Sequence, residues 1–432
     1  MPEINKPAAH AAPPAPGASG PAARADGAAR RHLAVLRVAV TLFFGLDGFV
    51  FAGWVVRIPA VKAQTNASAS ALGLALLGVS AGAVVTMVVT GRLCRIFGAR
   101  PVTVGCATLL SLSVALPAHT HSALSLGLVL VVFGIGYGGQ NVAMNAVAVD
   151  LVAALRRPVI SSFHAVYSLG GMLGAALGGL VASRLSPAVH LGALAAVGLV
   201  TTAVVAPFLL RGPEPTPPEP ARQPGSGTPG AARTGSGRGP GTAARAGAGG
   251  AVALFGVIAC CTAYGEGSMA DWSALHLSQD LGAAPGVAAL GYSAFALAMT
   301  LGRLSGTAVQ ERFGQTGVLV VGGLTAAAGM LVGALAPTTW LVFAGFVVMG
   351  LGLANIFPVA IGRAGALAGP NGVALASTFG YGGMLIGPPA IGFLADWLSM
   401  PVALTTVSLL AALAALLGHV ARGAGAREPS GT

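Results

Sequence analysis

Apolar residues fill twelve long runs, at about 34–56, 70–92, 101–118, 124–149, 159–183, 188–210, 251–274, 285–306, 316–336, 339–362, 371–395 and 400–420. A helix of ~20 residues crosses a hydrocarbon core ~30 Å thick. In lipid every backbone polar group must be satisfied internally, so each run is a helix or part of a closed barrel. The runs are continuous and lack period-2 alternation, which decides for helices. The expected fold is an all-α integral membrane protein with twelve transmembrane helices in two six-helix, pseudo-symmetric halves. Its parts are a disordered arm over 1–30, a first bundle over 31–211, a disordered linker over 212–250, a second bundle over 251–421 and a tail over 422–432. The arm and linker are rich in Ala, Pro and Gly and carry too little apolar surface to fold. The first run is a full span preceded by that arm, so no cleavable signal peptide is expected.

Composition narrows the class. The 432 residues are 55% hydrophobic and 8% charged, against about a quarter charged in an ordinary soluble domain. Mean hydropathy is +0.80. A soluble enzyme, a disulfide-rich secreted module and a nucleic-acid-binding domain all fit poorly. The net charge of +11 reads as topology rather than as a binding face. With the N-terminus inside, 20 of the 23 basic residues fall on the cytoplasmic side, and only Arg57, Lys62 and Arg184 fall outside. The expectation is a multi-pass protein of the cell membrane, a bacterial inner membrane, with both termini cytoplasmic.

Enzymatic chemistry finds no support. Cys94, Cys106, Cys260 and Cys261 lack metal-ligand spacing and imply no disulfide framework. The glycine-rich stretches fall inside spans, and no phosphate-binding loop of the type G-x-x-x-x-G-K-[ST] occurs. No catalytic residue, cofactor or metal is expected, and any active transport must draw on a gradient. The partners expected are a small-molecule substrate, protons and the lipid bilayer, with no nucleic acid and a monomeric state.

The two halves repeat one another at an offset of about 212 residues. Gly91-Arg92-Leu93 matches Gly302-Arg303-Leu304 at the ends of spans 2 and 8. Gly134-x-Gly136-x-Gly138 leads to Asn141 in span 4, as Gly350-x-Gly352 leads to Asn355 in span 10. Gly170-Gly171-Met172-Leu173 in span 5 matches Gly382-Gly383-Met384-Leu385 in span 11. Such parallel halves are expected of one large class of transporter, and glycine at this density lets helix backbones approach closely.

Against that frame two acidic residues sit deep, Asp47 in span 1 and Glu266 in span 7. A charge at the bilayer centre is costly, and an acid there is a functional candidate by default. A carboxyl taken out of water favours its neutral form, so both are candidates for proton coupling; the alternative is a structural, hydrogen-bonded carboxyl. Gln140, Asn141 and Asn145 in span 4 and Asn355 in span 10 offer amide donors and acceptors for a polar ligand, or else interhelical hydrogen bonds. His164 in span 5 is a candidate proton relay or a structural histidine, and Tyr381 in span 11 a weak candidate for lining a cavity. Trp54, Arg57, Asp271 and Trp272 fall at the outer ends of spans 1 and 7. They form a candidate outer gate with an Arg57–Asp271 ion pair, although the tryptophans suit interfacial anchoring better.

With these residues in place the chain resembles the major facilitator superfamily from about 34 to 420. The family's loop after span 2 reads G-x-x-x-D-R-x-G-R-R/K. Here Gly91, Gly98 and Arg100 match, but Arg95 takes the acidic position, which removes the acid of the family's cytoplasmic latch. Asp47, Trp54-x-x-Arg57-x-Pro59, Met144-Asn145, Phe163-His164, Glu266, Asp271-Trp272 and Gly387-Pro388-Pro389 are similar to a bacterial branch near the fucose permease group. The resemblance implies alternating-access transport of a small polar or amphipathic solute, with proton coupling. Drug or metabolite efflux by proton antiport, a passive facilitator and a non-transporting sensor stay open as alternatives. Span 4 carries amides where sugar–proton symporters of the family carry an acid, and span 5 lacks the proline of the drug exporters.

Overall fold

The computed structural model describes residues 21–155, 159–211 and 242–425. Most of the expected arm, the linker over 212–241 and the end of the tail over 426–432 lie outside the described residues. The first half comprises α1 (Pro21–Val55), α2 (Ile58–Thr65), α3 (Ala69–Phe97), α4 (Ala99–Ser113), α5 (Ala123–Leu155), α6 (Ile160–Ala182) and α7 (Pro187–Leu210). The second comprises α8 (Thr242–Gln279), α9 (Pro285–Leu304), α10 (Gly306–Leu335), α11 (Thr339–Leu353), α12 (Ile356–Trp397) and α13 (Met400–Gly425). The described residues contain no strand. Helix extends beyond the apolar runs: 21–30 and 242–250, expected to be disordered, are the first turns of α1 and α8.

Among the described residues, eleven helical segments are long and apolar enough to cross a membrane. The twelfth run, 371–395, lies within the 42 residues of α12. That helix doubles back, because a Cβ on Gly372 would collide with the carbonyl of Ala364. In a straight helix rising ~1.5 Å per residue those positions lie about 12 Å apart. The first arm of α12 therefore completes the pass begun by α11, and the second arm makes the next pass. Twelve passes leave the start of α1 and the end of α13 on one face, called here the terminal face.

The halves pack alike. In the first, α1 pairs with α6, α3 with α5 and α4 with α7; in the second, α8 pairs with α12, α9 with α11 and α10 with α13. Glycine permits the tightest of these crossings. A Cβ on Gly170 would meet the carbonyl of Gly45 in α1, and one on Gly383 the carbonyl of Cys260 in α8, so the recurrent Gly-Gly pairs mark the same helix pairing twice. Gly98 (φ 85°) and Gly314 (φ 68°) make the matching turns after α3 and within α10, in a backbone region open to glycine. The segment Gly91–Phe97, read in sequence as a loop, is helical up to its turn, and so is its counterpart Gly306–Phe313.

Contact between the halves runs along α3 with α12 and along α6 with α9. A Cβ on Gly73 would strike the Pro388 carbonyl, one on Gly392 the Ala69 carbonyl, and Gly179 abuts Gly286. These contacts all lie toward the face away from the chain ends. There Asp396 accepts hydrogen bonds from the backbone amides of Ala69 (3.0 Å) and Ser70 (2.8 Å). Ser68 Oγ accepts from Ala71 N–H and the Ser68 carbonyl from Leu72 N–H. The amides of Ala69, Ser70 and Ala71, which the start of α3 leaves without helical partners, are thus satisfied, two of them by the other half of the molecule.

The tryptophans correct an expectation. Trp54 and Trp272, read as interfacial anchors, are 2% and 0% exposed. The exposed pair is Trp340 and Trp397, at 68% and 78%, where α11 begins and α12 ends on the far face. An amphipathic ring suits the membrane interface only when its helix turns it toward lipid, and α1 and α8 turn theirs inward.

Candidate functional site

Between the halves lies a cavity of about 250 Å³. Every wall is a span: Phe51 and Trp54 from α1, Leu76 to Met87 from α3, Tyr137 and Asn141 from α5, Tyr167 from α6, Glu266 to Asp271 from α8, Tyr292 from α9, and Tyr381 and Met384 from α12. The same helices seal it on one side. Along α3 the seal occupies Ala69 to Gly73 and the cavity Leu76 to Met87; along α12 the seal is at Pro388 to Gly392 and the cavity at Tyr381 to Met384. The cavity therefore sits on the terminal side of a closed far gate.

Aromatic rings build one wall. Phe51 stacks on Tyr137 (centroids 4.9 Å apart, 22° between planes), Tyr137 lies parallel to Phe133 (6.4 Å, 3°), and Phe133 meets Trp54 (6.4 Å). The Tyr137 and Tyr167 hydroxyls share a hydrogen bond of 2.8 Å, which ties α5 to α6 at the cavity surface.

Two carboxyls of α8 face the space, Glu266 and Asp271. Glu266, expected to be a lone buried acid, is partly exposed to the cavity and paired: Arg303 Nη2 lies 3.3 Å from both of its oxygens. Arg303 belongs to α9 and lines a side pocket that shares Phe51, Tyr167, Glu266 and Tyr292 with the main cavity. Its sequence context, Gly-Arg-Leu at the end of an apolar run, reads as a loop cation. The signal that was available is Glu266 itself, since a carboxylate in a membrane protein calls for a cation.

Asp47 is the deep acid. It is 0% exposed, it is absent from the cavity lining, and neither carboxyl oxygen has a hydrogen-bond partner among the described residues. It lies close enough to Tyr137, Tyr167 and Cys106 to interact with them electrostatically. Gln140, also buried, carries an unpartnered Oε1.

Other candidates disperse. Asn141 and Tyr381 line the cavity. Asn145 Nδ2 donates to the Asn141 carbonyl (2.7 Å) along its own helix, and Asn355 Nδ2 donates to the Gly302 carbonyl (2.8 Å) at the junction of α11 and α12; both bonds are of the interhelical or intrahelical kind rather than aimed at the cavity. His164 is exposed and sets its ring edge against Phe44 (5.2 Å). Gly91 and Arg95 are exposed near the terminal face, while Arg100 is buried.

Arg57 and Asp271 do not form the expected gate pair. Arg57, 2% exposed, donates from Nε to His190 Nδ1 (2.7 Å) and from Nη1 to the Ala182 carbonyl (3.1 Å), all within the first half. Its guanidinium is consumed by tying α1 to α6 and α7. Asp271 meanwhile points into the cavity.

The sequence profile of the Major Facilitator Superfamily matches residues 38–264 and 254–431. A transporter of Sinorhizobium fredii is 36% identical over 380 residues, 87% of this chain and 96% of that protein. A transporter of the same superfamily from Yersinia pestis is 32% identical, over 87% of this chain and 92% of its own length. Among solved structures, a bacterial homologue of the human lysosomal transporter Spinster superposes with a TM-score of 0.72 at 14% identity, covering 91% of this chain and 97% of its own. A D-xylose–proton symporter gives 0.65 at 16% identity, covering 90% and 97%. The chain belongs to the major facilitator superfamily, a multi-pass membrane family of transporters rather than enzymes.

Proposed function

We propose that this member of the major facilitator superfamily is a secondary active transporter of the cell membrane, carrying a small polar or amphipathic solute by alternating access and coupled to protons. The observation that carries the reading is the cavity between the halves, sealed on the far face by glycine-mediated contacts and by Asp396 on the start of α3. Rocking the halves about the cavity would break that seal. The excess of basic residues on the terminal face supports a cytoplasmic placement of both ends, and the described state is then open inward.

Proton coupling is assigned to Asp47. A buried carboxylate without a partner is costly as an anion, so its charge state should follow its surroundings as the halves move. Glu266 enters differently, as the partner of Arg303. The likeness to the fucose permease branch rests on Asp47, Trp54, Arg57, Glu266 and Asp271 and does not name a substrate.

The test is accumulation from a mixture. Proteoliposomes holding the protein are incubated with a bacterial metabolite extract, with and without an imposed proton gradient, and their contents are read by mass spectrometry. A compound enriched only under the gradient, and not by Asp47→Asn, is the expected result. Equal enrichment with and without a protonophore would make the protein a passive facilitator.

A further inference from the structure

The charges on the cavity wall do not balance. Glu266 is answered by Arg303 at 3.3 Å. Asp271 faces the same space and has neither an ion pair nor a hydrogen bond to a described residue, and the lining holds no lysine, arginine or histidine. One carboxyl is thus left without a cationic partner in a space closed on the far side.

The rest of the wall is aromatic and aliphatic. Trp54, Tyr292 and Tyr381 border the space, and the negative face of an aromatic ring attracts a cation. Leu76 and Met384 add apolar surface, while Asn141 is the one side-chain amide of the lining. The hydroxyls of Ser80, Tyr292 and Tyr381 and the Asn141 amide could serve a neutral ligand too, so the unanswered Asp271 carboxyl is what favours a cation, and an anion would face two carboxyls.

We propose that the cavity takes an amphipathic organic cation, a single ammonium group on an apolar, ring-sized body, with Asp271 as the counter-ion. This rests on the transporter reading for its biological sense, but binding to the purified protein requires neither transport nor a gradient.

Three probes of nearly equal size isolate the charge: 2-phenylethylamine, 2-phenylethanol and phenylacetate. Thermal stabilisation of the full-length protein in detergent near pH 7 reports binding, because a ligand of the native state stabilises by mass action. The amine should bind at least tenfold more tightly than the alcohol, and phenylacetate should not bind. Asp271→Asn should bring the amine down to the level of the alcohol, and Tyr381→Leu should weaken the amine several-fold more than the alcohol. Equal binding of amine and alcohol, no binding of the amine at millimolar concentration, or an amine affinity unchanged in both variants would overturn the cation assignment. None of those outcomes bears on gradient-driven accumulation, which the metabolite-mixture assay reads whatever the charge of the solute.

Discussion

Asp396 and Ser70 meet across the two halves of the molecule, the carboxylate accepting the Ser70 amide at 2.8 Å. The acid ends the second arm of α12 and the amide opens α3. A carboxylate at a helix N-terminus satisfies free amides and faces the positive end of the helix dipole. The pair is a clasp on the far gate, made with backbone on one side. Asp396→Ala should weaken far-gate closure by about 1 kcal/mol, near a fivefold shift toward the open state. Spin labels placed across the far gate would show the longer-distance population rising.

The clasp carries a pH dependence whose sign is fixed. Partial burial pushes the Asp396 carboxyl up, but the bonds from Ser70 and Ala69 outweigh it and hold it below the usual carboxylate range. Opening the gate removes those bonds and returns the group toward its ordinary value. Closure is therefore strengthened fully above that ordinary value and loses the contribution as pH falls through the lower, closed-state value. The same spin-label distances should be sensitive to Asp396→Ala near neutrality and lose that sensitivity as the pH falls below the ordinary carboxylate range.

Gly392 lies against the Ala69 carbonyl and Gly73 against that of Pro388. Backbone cannot yield as a flexible side chain can, so Gly392→Leu should wedge the far gate open while the separate bundles stay folded. Retained melting behaviour with a permanently far-open cavity is the expected outcome. A collapse of expression would instead make Gly392 a requirement of folding.

Arg57 is worth more to stability than to gating. Replacing it by alanine leaves the buried His190 Nδ1 without its donor, at a cost of about 1–3 kcal/mol, and removes the bond to the part-buried Ala182 carbonyl as well. Arg57→Ala should lower the apparent melting temperature by several degrees, and Asp271→Ala should not. Equal losses in the two variants would restore the gate pair that the sequence invites.

Hydropathy made twelve passes and two halves legible because lipid exposure writes itself into long apolar runs. It could not show where helix continues past lipid, as at 21–30 and 242–250, since those turns are not selected for hydrophobicity. The acids Asp47 and Glu266 stood out as charges inside spans. Their surroundings did not, because Arg303 and the pair Tyr137–Tyr167 come near them only through helix packing. Trp54 and Trp272 were misread for a similar reason: position along a span gives depth, but only rotation of the helix decides between lipid and cavity.

The central claim is that the cavity opens alternately to the two faces under control of a proton gradient. Ser80 lines it and is small, so Ser80→Cys, in a background lacking Cys94, Cys106, Cys260 and Cys261, places a thiol there with little disturbance. Sealed vesicles are treated with a membrane-impermeant thiol reagent from each face in turn, under opposite proton gradients. Labelling from both faces is expected, with a ratio that the gradient shifts and that Asp47→Asn makes independent of it. Labelling from the terminal face alone, under every gradient, would contradict the claim.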